Sequence, residues 1–175
     1  MKDDVVVSSP RKVPLKAHYD VTFISTGPQC SAFITSRGIM LAAGNNQGKR
    51  LFLRGESSSH FMLSKTPAPV AQVAFSQDHT VLLQTNGLIL TLLPNGILKE
   101  VKVNSSSDIQ NVSIMAKASV GLCMNSKGRI FMWDIKDENE ESIKAEQLDF
   151  DPLHRSEQCV NISVSNDHFI VAFQK

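Results

Sequence analysis

The chain lacks any apolar run long enough to cross a bilayer, which takes about 20 helical residues. Its first residues, MKDDVVVSSPRK, set two acids beside only three valines, too short a core for a signal peptide. It has almost no charge excess: 18 Lys/Arg against 17 Asp/Glu leave a net charge of +1, so no bulk attraction to nucleic acid or anionic membrane is expected. Cysteine is scarce. Cys30, Cys123 and Cys159 are odd in number, widely spaced and form no CxxC pair, which excludes a disulfide framework. Each thiol reads as a small apolar core residue in a reducing compartment, the cytoplasm first and the nucleus as the alternative. The sequons at Asn104, Asn111 and Asn161 are then chance matches. A sustained 3.6-residue apolar period is missing too, so no helical architecture is expected. Only residues 138–148 suggest a short helix, and their polarity favours a loop.

What is present, in 175 residues that are 42% hydrophobic, is a recurring hairpin. Over residues 21–53 two apolar runs, 21–24 and 30–35, flank an expected turn at 25–29. Ser36-Arg37-Gly38 makes a hairpin, because glycine tolerates the positive φ such turns need. Residues 39–43 return, and a Gly44-Asn45-Asn46 loop follows. Aligned on the hairpin glycines Gly38, Gly87 and Gly128, the chain repeats itself. An aliphatic residue stands fourteen positions before each glycine: Ile24, Val73 and Ile114. Apolar triplets precede the turns (Ala32-Phe33-Ile34, Val81-Leu82-Leu83, Leu122-Cys123-Met124) and follow them (Ile39-Met40-Leu41, Leu88-Ile89-Leu90, Ile130-Phe131-Met132). A fourth copy begins at Val160. The spacings from Ile24 through Val73 and Ile114 to Ile162 are 49, 41 and 48 residues.

A period of 40–50 residues with several short strands is the signature of a β-propeller. Each small sheet packs between neighbours, so its inner strands are apolar on both faces. The expected fold is all-β: about three and a half four-stranded blades, an arc of a larger ring. The expected organisation is an extended lead-in over 1–20, then repeats at about 21–69, 70–110, 111–158 and 159–175. The less favoured alternative is a small ring that residues 5–7 help to close.

Val73-Ala-Phe-Ser-Gln-Asp-His79-Thr-Val-Leu-Leu and Ile162-Ser-Val-Ser-Asn-Asp-His168-Phe-Ile-Val-Ala resemble the blade core of the regulator of chromosome condensation repeat family. Gly44-Asn45-Asn46 running into Arg50-Leu51-Phe52-Leu53 looks most like the propeller of NIMA-related kinases, and Trp133 keeps an aromatic position. The chain departs from the family where Ser76, Lys117 and Ser165 replace a turn glycine, Cys30 and Val120 replace the histidine, and Asp134 follows Trp133. The resemblance implies a seven-bladed ring, a regulatory scaffold for protein partners and, in the founding member, guanine-nucleotide exchange on a small GTPase.

Repeated positions point to structure before chemistry. Gly38, Gly44, Asn46, His79, Gly87, Gly128, Trp133 and His168 read as turn, cap and packing residues. His79 and His168 lie two repeats apart, too far to share an ion, and each is expected to cap a turn through backbone hydrogen bonds. Gly44 to Gly48 has three intervening residues where a phosphate loop needs four, and Arg50 stands where Ser or Thr should follow the lysine. No catalytic, cofactor or metal site is expected. Residues 134–151 carry eight acids against two lysines, and Asp137, Glu138, Glu140 and Glu141 form the candidate partner-binding loop. Variable loops are expected at 54–69, 104–108 and 134–158, with Ser57-Ser58-Ser59 and Ser105-Ser106-Ser107 at loop tips, and Ser9 and Thr66 as proline-directed phosphosites. The expected function is a non-enzymatic interaction scaffold that regulates a kinase domain, with nucleotide exchange on a small GTPase as the alternative. Self-association, or the rest of a larger propeller, would supply the missing blades.

Overall fold

The structure, a computed structural model, describes residues 9, 12–13, 19–77, 79–103, 113–117, 119–135, 141–149, 158–164 and 169–174. The described residues form fourteen strands and one 3-10 turn, Gln47–Lys49. β1 (Val21–Gly27), β2 (Cys30–Thr35), β3 (Met40–Asn45) and β4 (Ser57–Leu63) make one antiparallel sheet in chain order. β5 (Val70–Phe75), β6 (Thr80–Gln84), β7 (Ile89–Leu92) and β8 (Leu98–Val103) repeat it, as do β9 (Ser113–Lys117), β10 (Val120–Met124), β11 (Ile130–Asp134) and β12 (Ser142–Gln147). β13 (Gln158–Val164) and β14 (Phe169–Gln174) pair as a two-stranded sheet. The fold is thus an all-β arc of propeller blades. No helix among the described residues is long and apolar enough to cross a membrane.

The hairpins share one geometry. Thr35 N donates to Ile39 O and Gly38 N to Thr35 O; the same pair of bonds recurs at Gln84/Gly87, Leu93/Gly96 and Asn125/Gly128. The four glycines have φ of +73, +87, +81 and +71°, the left-handed position of a three-residue hairpin loop.

Packing follows the two-residue period of the strands. In the second blade Val73, Phe75, Leu82 and Leu90 point toward the first blade and join Ala32, Ile34, Met40 and Ala42 in one core cluster. Their chain neighbours Ala74, Val81, Leu83 and Ile89 point the other way and join Cys123, Phe131 and Trp133 of the third blade. In the third blade Leu122 and Ile130 face Cys159 and Ile162 of the last sheet. A strand sandwiched this way has no solvent face, which is why its sequence reads as continuous apolar residues. The first strands touch in series, β1 on β5, β5 on β9, and β9 on β13. On the far side β8 and β12 pair in parallel, Glu100 to Ser142 through Val103 to Ala145, and fuse two blades into one eight-stranded sheet.

Several expectations are corrected. The turn expected at 25–29 is only Pro28-Gln29, because Ser25, Thr26 and Gly27 stay paired with Ala32, Ser31 and Cys30. Ser57, Ser58 and Ser59 are not a loop tip but open β4, the outer strand of the first blade. Residues 142–147, read as loop or short helix, are β12, in which Ile143 and Ala145 are buried while Lys144 and Glu146 are exposed. Outer strands cover the core with one face only, so half of each is polar. Ser105 to Ser107 lie outside the described residues, as does most of the 1–20 lead-in.

Candidate interaction rim

The most organised irregular segment is the loop that joins β3 to β4. Asn46, fully buried, is its centre. Its Nδ2 donates to Leu53 O at 3.0 Å and Gly55 O at 2.5 Å, and its Oδ1 accepts from Leu51 N at 2.7 Å. Its backbone N–H donates to Glu56 O, and its carbonyl accepts from Lys49 N. One side chain therefore satisfies three backbone groups across nine residues. Asn45 Oδ1 accepts from Gln47 N, and Asn45 Nδ2 donates to Gln29 Oε1 at 3.1 Å. This ties the loop to the β1–β2 turn.

Three non-glycine residues with positive φ cluster here: Gln29 (+58°), Lys49 (+61°) and Phe52 (+56°). Such backbones cost about 1–3 kcal/mol each and persist only where surroundings over-determine them. The bonds through Asn45 and Asn46 supply that constraint. The result is an open cleft of about 890 Å³, floored by Asn45 and Asn46 and rimmed by Lys49, Arg54 and Glu56. It is no phosphate cradle. The amides of Asn45, Asn46, Gln47, Lys49 and Leu51 are spent on partners within the rim, whereas a phosphate loop needs its N–H groups directed at the anion. What it offers is a fixed array of exposed cationic and polar side chains.

Arg50, the next residue, holds blades together. Its guanidinium donates to Ser76 O at 2.7 Å, Gln77 O at 3.3 Å and Cys30 Sγ at 3.4 Å, and its carbonyl accepts from Thr80 Oγ1. Burial pushes the Cys30 thiol above its ordinary pKa, against the opposing pull of the Arg50 charge.

His79 is fully buried in the β5–β6 turn. Its Nδ1 lies 2.7 Å from Ser76 Oγ, its N–H donates to the same oxygen, and its carbonyl accepts from Ser76 N. The ring meets the Ser76 hydroxyl, so the serine at the missing-glycine position is part of the cap. The fourth repeat keeps the Ser-x-x-His spacing at Ser165 and His168, both outside the described residues. Trp133 is buried between the second and third blades, and its Nε1 donates to Thr91 Oγ1 at 3.1 Å. Gly38, Gly87 and Gly128 sit in the hairpins, and Gly44 (φ +113°) stands at the end of β3, where a Cβ would meet Gln29 O at 2.2 Å. Of the acidic candidates, Glu141 is exposed, while Asp137, Glu138 and Glu140 lie outside the described residues. Thr66 Oγ1 donates to Ala68 O, and Ser9 is exposed. No group of three or more potential metal ligands occurs among the described residues. Gln29 went unnoticed in the sequence, and Arg50 and Ser76 stood out there only as motif positions, without the bridging and capping roles they have here. Only the repeated Ser-x-x-His spacing signalled any of these roles.

No protein-family model matches the chain, and no curated protein matches its sequence. Solved structures do. Human WBSCR16 matches with a TM-score of 0.76 at 16% identity, over 97% of this chain and 49% of that one. Yeast RCC1 (Prp20), solved with Kap60 bound to it, matches with 0.66 at 14% identity, over 93% and 44%. Prp20p from Saccharomyces cerevisiae, described with its binding properties to Gsp1p and histones, matches with 0.63 at 12% identity, over 89% and 44%. These likenesses show the fold, an arc of an RCC1-like β-propeller. The chain spans about half the length of each of these three structures.

Proposed function

We propose that the chain is a protein-interaction scaffold without catalysis of its own, and that a partner meets the rim at residues 44–57. The observation that carries this reading is the pinning of that loop by Asn46 while Lys49, Arg54 and Glu56 stay exposed. A loop already held in one conformation loses little entropy on binding, so its contacts translate into affinity. Functional contacts concentrate on loops held by a rigid scaffold, as here. The acidic segment 134–151 is a second contact, suited to a basic partner surface. Regulation of a kinase domain is the finer reading, supported by the likeness of Gly44 to Leu53 to the propeller of NIMA-related kinases. A reducing location, cytoplasm first and nucleus second, fits three free, buried thiols.

Lys49→Glu with Arg54→Glu reverses the rim charge without touching the Asn46 bonds. In an affinity capture from native extract, this variant should lose partners that the parent chain retains. An unchanged partner set would defeat the rim assignment, and neutralising 134–151 tests the acidic segment in the same way. Nucleotide exchange is the second reading, favoured by the resemblance and by the described binding of Prp20p to Gsp1p. Catalysed nucleotide release from a panel of small GTPases would replace the scaffold reading.

A further inference from the structure

We propose that two copies of this chain close a ring, the open face of the first blade in each copy packing on the open face of the β13–β14 sheet in the other. Every inner sheet of the arc buries apolar residues on both faces, alternately toward its two neighbours. The first blade has the same two-sided pattern but, among the described residues, one neighbouring sheet. Its Ala32, Ile34, Met40 and Ala42 meet the second blade. Its other face carries a continuous apolar row across all four strands: Ile24 opposite Phe33, Phe33 opposite Leu41, and Leu41 opposite Leu63. Phe33 is roofed by Tyr19 and Phe61, with ring centroids 6.0 and 5.0 Å away. The ends of the row stand open, Ile24 at 71% and Leu63 at 63% exposure. At the far end of the arc, Val171 and Phe173 pack toward the third blade. Ile170, on the opposite face of β14, is 62% exposed, and Val160 in β13 is 47% exposed.

These two faces are of complementary kind. In a propeller the leading face of one blade meets the trailing face of the next, and the described residues leave one of each without a neighbouring sheet. A second copy brings the matching pair. The chain spans 49% of human WBSCR16 and 44% of yeast RCC1 (Prp20), so two arcs of four sheets each, related by a two-fold along the ring axis, would make one turn of eight sheets, one more than the seven the family resemblance implies, with two identical junctions. A contact that joins unlike patches closes when the rotation closes, and otherwise gives fibres. The inference rests on the fold alone, and it stands or falls apart from the scaffold reading.

The test is the mass of the 175-residue chain in solution by size exclusion with light scattering. The expected result is a particle of about twice 19.3 kDa. Ile24→Lys and Ile170→Lys, each at an exposed position, should each leave monomers, because each damages both junctions of its own homodimer. Mixed in equal amounts they should recover the dimer, since one junction of the mixed pair is undamaged. Leu63→Lys repeats the first arm if Ile24→Lys does not fold by circular dichroism. Three outcomes would overturn the proposal: a monomeric parent chain, which assigns the faces to further blades of another chain or a longer one; a dimer untouched by Ile170→Lys; or a mixture that stays monomeric.

Discussion

Gly121→Ala tests how the second and third blades lock together. Gly121 sits opposite Trp133 in the β10–β11 ladder. A methyl group there would lie 2.1 Å from Trp133 Cε2 and 2.2 Å from Cζ2. An ordinary carbon contact is about 3.5–4 Å, so the indole must retreat by more than an ångström. It has nowhere to go. Trp133 is buried among Val81, Leu83, Ile89 and Phe131, and its Nε1 is held by Thr91 Oγ1. Overpacking of this kind costs about 1–3 kcal/mol. Dragging the indole off Thr91 strands a buried N–H, at about 1–3 kcal/mol more. Alanine returns roughly 0.5–1 kcal/mol of backbone entropy relative to glycine. The net expectation is a loss of about 1–5 kcal/mol. Trp133 is the only tryptophan, so urea unfolding followed by its emission reads the junction directly. Thr91→Val, which removes the bond without the clash, should cost about 1–3 kcal/mol by itself. A Gly121→Ala protein within about 0.5 kcal/mol of the parent, with unshifted emission, would refute the argument, since changes that small are typical of inert surface sites.

Arg50→Met keeps the stem and removes the guanidinium that spans the first two blades, so stability should fall by about 1–3 kcal/mol, with hydrogen exchange rising first at the β5–β6 turn. Asn46→Ala strands Leu51 N and frees the carbonyls of Leu53 and Gly55. Amide exchange across 46–56 should accelerate by about two orders of magnitude, for roughly 3 kcal/mol of lost local protection. Burial pushes the Cys123 thiol up to about 12 from an ordinary 9.0. The folded chain then keeps a proton that the unfolded chain releases, so this contribution is intact below pH 9 and shrinks by about 1.4 kcal/mol per unit between pH 9 and 12. Cys123→Ala should remove that component of the slope, measured as the difference between the two denaturation profiles over this window. Parallel profiles would count against it.

The blades themselves were legible because a sandwiched strand admits little but apolar residues, and hairpin turns admit little but glycine at the left-handed position. Ala32 to Ile34, Val81 to Leu83 and Leu122-Cys123 announce their own burial. The outer strands were not legible. Ser57–Leu63 and Ser142–Gln147 present one face to solvent, and their serines, lysines and glutamates carry the statistics of loops. The candidate rim was half visible. Gly44-Asn45-Asn46 marked a turn, but nothing in the order of residues reveals that Asn46 gathers Leu51, Leu53 and Gly55, or that Arg50 reaches carbonyls more than twenty-five positions away.

The sequence alone therefore determined the unit: a repeated, two-faced, four-stranded blade with glycine hairpins, because local periodicity and backbone sterics act over a few residues. The tertiary structure alone decided how units meet. The parallel pairing of β8 with β12, the closure of Trp133 over Gly121 against Thr91, and the apolar row left open on the first blade all depend on which faces find each other in space. That choice is made by packing between segments dozens of residues apart, and no local pattern encodes it.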